Sequence, residues 1–135
     1  MNHRHVYEVA AGRVANKIGL AAALLLVCAL ADTGLSQGAF KLADCQVDSN
    51  GKVAFKGKCR FMRDGTTGSF SLASESGQGA LFGSILVVSV SIVERGVAEV
   101  RGLTNAGINS RWGEARRSTQ DAACWVGSDF KVCAW

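Results

Sequence analysis

The stretch Ala122-Ala-Cys-Trp-Val-Gly-Ser-Asp-Phe-Lys-Val-Cys-Ala-Trp135 decides the fold class. Gly127, Ser128 and Asp129 are turn formers: glycine tolerates positive φ, and short polar side chains bond nearby backbone. The flanks Cys-Trp-Val and Phe-Lys-Val-Cys are aromatic and β-branched, which suits a pleated strand. A fold about Ser128 and Asp129 sets Cys124 opposite Cys133. Opposed residues hold their Cβ atoms about 4.5–5.5 Å apart, near disulfide reach. The spacing is not that of a C-x-x-C redox pair, so the expected role is a structural staple.

Upstream, the hairpin signal recurs. Cys45 to Phe55 carries Asn50-Gly51, the pair that favours a type I′ turn. In Gly57–Arg63, Cys59 and Phe61 point one way, and Lys58, Arg60 and Met62 the other. Phe70 and Leu72 alternate with serines, and Leu86, Val88, Val90 and Ile92 share a face of Phe82–Val93, the longest apolar run after Ala31, expected to be the central strand. Val97–Leu103 and Ile108–Trp112 read as further strands, and Gly113–Asp121 as a charged loop. The chain has no proline, and turn residues recur every ten residues or so. The expectation is an all-β chain, a small antiparallel barrel or sandwich of about seven or eight strands with two hairpin disulfides.

The first residues read differently. Arg4, Arg13 and Lys17 precede the apolar run Ile18–Ala31, and Ala29-Leu-Ala31 fits a small-x-small cleavage site. As a helix that run reaches about 21 Å, short of a hydrocarbon core of roughly 30 Å. The expectation is a signal-peptide helix over 1–31, a flexible lead-in over 32–43 and a disulfide-stapled β domain over 44–135. The chain would then be periplasmic or secreted, and would meet a membrane only through an uncleaved leader. Cys28 lies inside the run after Val27, which is not the small residue a lipidation site normally has there. Without the leader the chain loses three of its 15 Lys and Arg and one of its 11 Asp and Glu, leaving +2. That balance gives no basic patch for nucleic acid.

Four of the five cysteines follow the leader, an even number suited to an oxidising compartment. Four cysteines allow three pairings; the two hairpins favour Cys45–Cys59 and Cys124–Cys133. Both histidines, His3 and His5, fall in the leader, so the mature domain has no imidazole for a catalytic triad or a metal site. No cofactor is expected, and no carboxylate spacing singles out an acid/base pair. Two segments stand out for binding. One is the small polar loop Ser74–Gly79, with Ser76 and Gly77. The other is Ser110–Arg117, with Trp112 among Arg111, Arg116 and Arg117. Trp and Arg are enriched in binding hot spots; the plainer reading makes Trp112 core, and Arg116 and Arg117 a solvated face. Trp135 is expected to pack on the hairpin it ends.

The closing Ala-Cys-Trp…Cys-Ala-Trp135 hairpin, with Gly57-Lys-Cys59 and Gly68-Ser-Phe70, resembles small exported disulfide-bonded β proteins of proteobacteria. It is also distantly similar to periplasmic inhibitors of C-type lysozyme. That resemblance implies a small antiparallel barrel whose Ser-Gly-x-x-Tyr loop enters the lysozyme cleft and meets its catalytic carboxyls. Ser76-Gly77-Gln-Gly-Ala80 stands nearest to that loop, with Ala80 in the tyrosine's place. The expectation is an exported, non-enzymatic protein-binding domain of the cell envelope, with C-type lysozyme as the implied partner. The alternatives are a structural or wall-associated module and a carboxylate-based hydrolase.

Overall fold

Asn50 and Gly51 both adopt positive φ, 51° and 72°, the conformation a type I′ turn requires. They join β1 (Phe40–Ser49) to β2 (Lys52–Asp64). The structure, a computed structural model, describes residues 38–135. The expected signal peptide, with His3, His5 and Cys28, and the first half of the lead-in lie outside the described residues. The remaining strands are β3 (Ser69–Ser74), β4 (Ile85–Glu94), β5 (Val97–Thr104), β6 (Asn109–Arg117), β7 (Cys124–Val126) and β8 (Phe130–Ala134). Each pairs antiparallel with the next, and β8 pairs with β1, so the sheet closes into an eight-stranded barrel. No described residue is helical.

Period-2 alternation supplies the core. Val47, Leu72, Val88, Val90, Val100 and Val132 are fully buried, and Trp125 is 2% exposed. Burying one such side chain contributes about 1.5–3 kcal/mol. The first strand begins at Phe40, ahead of the boundary expected at residue 44, and Ala43 already belongs to the core. Leu86 does not: the β4–β5 register slips between Ile85 and Val87, so Ile85 packs against the core in its stead. One extra residue in one strand reverses the faces beyond it, which simple alternation does not foresee.

The expected charged loop over Gly113–Asp121 is corrected in its first half. β6 runs on to Arg117, with Ala115 buried and Glu114 and Arg116 exposed. The alternation that marks a strand was carried there by alanine alone among charges.

Both disulfides form as the hairpins required. Cys45 and Cys59 are buried within the core cluster, and their link crosses the β1–β2 ladder diagonally, since Cys45 is registered on Gly57 and Ala43 on Cys59. Cys124 and Cys133 are directly opposed, with Cα atoms 4.1 Å apart. They are buried but stand outside the core cluster, on the face opposite Trp125 and Val132. These bonds are consistent with an oxidising, exported location.

The sequence separations are 14 and 9 residues, so in the chain-entropy model each bond contributes about 3 kcal/mol. The double substitution Cys45→Ala/Cys59→Ala also leaves a void in the core, so it should cost more than Cys124→Ala/Cys133→Ala. Urea unfolding of the two variants against the oxidised parent measures the difference.

Candidate functional site

Antiparallel closure gives the barrel two ends. The β1–β2, β3–β4, β5–β6 and β7–β8 connections lie at one, the hairpin end. The other three connections and Trp135 lie at the far end. This arrangement separates the residues singled out in the sequence: Ser76, Gly77 and Trp112 belong to the hairpin end, and Arg116 and Arg117 lead toward the far end.

The Ser74–Gly79 segment is tightly folded. The Gly77 N–H donates to the Ser74 carbonyl at 2.9 Å. The hydroxyls of Ser74 and Ser76 both donate to the Gln78 carbonyl, at 2.8 and 3.0 Å. Arg60 on β2 reaches over to it: Nε donates to the Glu75 carbonyl at 3.0 Å and Nη2 to the Ser76 carbonyl at 2.7 Å. The same guanidinium lies 4.1 Å from the centroid of Phe40, which fixes its plane. Gly77 has φ 74°, and a Cβ there would collide with the Arg60 guanidinium. The positive φ thus favours glycine at 77, and a Cβ there would push the Arg60 guanidinium off the loop. Alternation places Arg60 on the face opposite Cys59 and Phe61, but the loop that folds onto it is 15 or more residues away in sequence, so alternation gives no sign of the contact.

Trp112 lies at the hairpin-end mouth, half-buried against the core. It meets Phe130 edge-on at 5.8 Å between centroids and Phe82 at 6.4 Å. With Ile85, Ser49, Asp129 and Arg111 these rings line a hollow of about 380 Å³. Its indole lies flat on Gly102, where a Cβ would come within 2.7 Å. Arg111 is held by Glu99 at 3.0 Å, and Glu99 also takes Arg101 at 2.7 Å, which leaves Asp129 as the one carboxylate lining the hollow.

Arg116 is a solvated, outward residue paired with Glu114 at 3.0 Å. Arg117 is exposed as well, but follows Ala115 on the inward side of the alternation. It is registered on Trp125 and its guanidinium sits 4.7 Å from that ring. The plainer expectation for Trp112 and Arg116 thus holds in part, while Arg117 covers the far mouth of the barrel. Trp135 is corrected: it is 51% exposed, and its Nε1 donates to Asp121 at 2.9 Å. Its backbone N–H donates to the Asp44 carbonyl, so the residue closes the chain by hydrogen bonds more than by packing.

The carboxylates are dispersed. Asp44 and Asp48 pair with Lys58 and Lys131, each at 2.8 Å. Burial pushes the Asp48 carboxyl up, but hydrogen bonds from Lys131 and Gln46 outweigh it and hold the group below its ordinary 3.8. The Ala123 N–H, with Trp135 Nε1, likewise holds Asp121 low. Neither environment resembles that of a general acid, which needs a raised value. Among the described residues no cluster of His, Cys, Asp and Glu is arranged to hold a metal ion. The chain matches no protein-family model, no curated protein and no solved structure.

Two outcomes are expected. Gly102→Ala displaces the Trp112 indole and costs about 1–3 kcal/mol by overpacking, read as a lowered urea midpoint with altered tryptophan emission. Asp48 has a depressed folded-state value, so its contribution is complete above about pH 4 and fades as pH falls through that lower value. The stability gap between the parent and Asp48→Asn should therefore narrow on acidification from neutral pH toward about pH 2.

Proposed function

We propose that this chain is an exported, non-enzymatic protein-binding domain of the cell envelope, periplasmic or secreted, which presents the Ser74–Gly79 loop to a partner's cleft. The observation that carries this reading is the prefolding of that loop. Arg60 caps two of its carbonyls, two serine hydroxyls converge on a third, and Gly77 allows the close approach. A loop held in one conformation before contact loses little entropy on binding, which is what a rigid cleft-filling inhibitor needs. The scaffold behind it is equally fixed, with a closed ring of strands and two disulfides.

C-type lysozyme is the partner to test first. The Ser76 hydroxyl gives its one proton to the Gln78 carbonyl, so toward a carboxyl pair in such a cleft it acts as an acceptor for the protonated member. The alternative of a wall-associated module assembling through an exposed strand edge has less support, since every strand of the ring has a neighbour on both sides.

Purified oxidised chain at stoichiometric excess should suppress cell-wall lysis by C-type lysozyme. Gly77→Ala and Arg60→Ala should each weaken that inhibition by about tenfold through loss of loop order, with the urea midpoint of Arg60→Ala near the parent's and that of Gly77→Ala lowered by the positive φ. Full lytic activity in the presence of excess parent chain removes lysozyme as the target. Capture of a partner from an envelope extract by the parent, and not by Gly77→Ala, then tests the broader binding reading.

A further inference from the structure

The far end of the barrel has a different chemistry. Phe61 and Arg63 continue the inward face of β2 beyond Cys59, and Arg117 continues the inward face of β6 beyond Ala115. Arg63 is registered on buried Phe70, and Arg117 on buried Trp125. Two guanidiniums thus stand where the core meets solvent. Lys41 adds a third cation, its Nζ 5.1 Å from the Phe61 centroid, and Arg95 in the β4–β5 turn adds a fourth.

None of these four cations takes part in any of the five ion pairs found among the described residues. Asp44, Asp48, Glu99 and Glu114 are all used elsewhere on the surface. Three adjoining hollows of about 350, 300 and 610 Å³ run around this end. The first two share Phe61 and Arg63, and the last two share Gly68, Arg117 and Trp125. An arginine thus stands at each junction, and Lys41 and Arg95 stand in the outer two. One carboxylate, Glu94, lines the series.

We propose that this far-end groove binds an extended acidic peptide segment, its carboxylates taken by Arg63, Arg117 and Arg95 in turn and its apolar side chains by the hollows between. Charge complementarity selects the occupant. Guanidiniums seated over apolar walls and lacking counter-ions offer paired N–H donors to carboxylates. A saccharide would instead need open aromatic faces. Here Trp125 and Phe70 are buried, the Phe61 face carries Lys41, and Phe40, though 44% exposed, carries Arg60 on one face. No residue of the Ser74–Gly79 loop lines the groove; the two adjoin through Phe40, which lines the first hollow and carries Arg60.

The test is fluorescence anisotropy at low salt with a labelled octapeptide alternating glutamate and valine. The same peptide with lysine for glutamate, and an unlabelled oligogalacturonate competitor, form the other arms. The full oxidised chain should bind the glutamate peptide and not the lysine one. Arg63→Gln/Arg95→Gln, which removes no ring-covering cation, should weaken binding by about two- to thirtyfold, the range for two exposed charge contacts. Glu94→Gln should tighten it. Absence of binding, equal affinity in the double variant, or equal binding of the lysine peptide overturns the proposal. Displacement by oligogalacturonate at equal or lower concentration overturns it in favour of an acidic glycan.

Discussion

The pairing of β8 with β1 holds the barrel together. Five residue pairs, from Cys45↔Ala134 to Ser49↔Phe130, join the last strand to the first across most of the described chain. Two backbone hydrogen bonds bracket this seam: Asn50 N–H to the Asp129 carbonyl at 2.6 Å, and Trp135 N–H to the Asp44 carbonyl at 2.9 Å. The disulfides do not cross the seam. Each ties a seam strand to its own hairpin partner, β1 to β2 and β7 to β8. They restrict the unfolded chain locally, while closure itself rests on the most non-local contacts in the fold, which are the slowest to form. Once made, closure gives every strand two neighbours, leaving no free edge strand to template aggregation.

Closure also explains why the two ends differ. A small barrel fills its interior with side chains, so the last inward residue of each strand is the one that meets solvent. At the hairpin end those residues are Trp112 and Phe130, joined by Phe82 from the β3–β4 connection. Rings can share one mouth only if something small stands behind them, and Gly102 supplies that room. At the far end the inward series of β2 and β6 terminate in arginines. Their aliphatic stems cover the core while the guanidiniums reach water, and Arg117 lies on the buried Trp125 ring. One rule of alternation therefore produces an aromatic mouth and a cationic mouth.

What the sequence disclosed follows the reach of each signal. The Asn50-Gly51 turn, the facing of Cys124 and Cys133, and the inward Phe70 and Leu72 are local matters, set by turn chemistry and a period of two. All three were legible, and so was the all-β barrel class they imply. The β4 bulge was not, because Leu86 is as apolar as the Ile85 that displaces it. The full length of β6 was obscured because its single buried residue beyond Gly113 is an alanine among charges. Arg60 and the Ser74–Gly79 loop are 15 or more residues apart, and no local pattern announces their contact. Arg63 was within reach, since the series Cys59, Phe61, Arg63 already placed it on the inward face.

The loop at Ser76 and Gly77 owes its order to a residue on the β2 face opposite Cys59 and Phe61. Arg60 does not donate to a carboxylate; it donates to two backbone carbonyls and lies on Phe40. A carbonyl pair has no net charge, so these bonds persist where salt would screen an ion pair. They also leave the guanidinium's positive charge uncompensated beside the loop tip. A partner that brings carboxylates to this loop therefore meets a cation in none of the five ion pairs found among the described residues, and the same contact that orders the loop sets the sign of charge it favours.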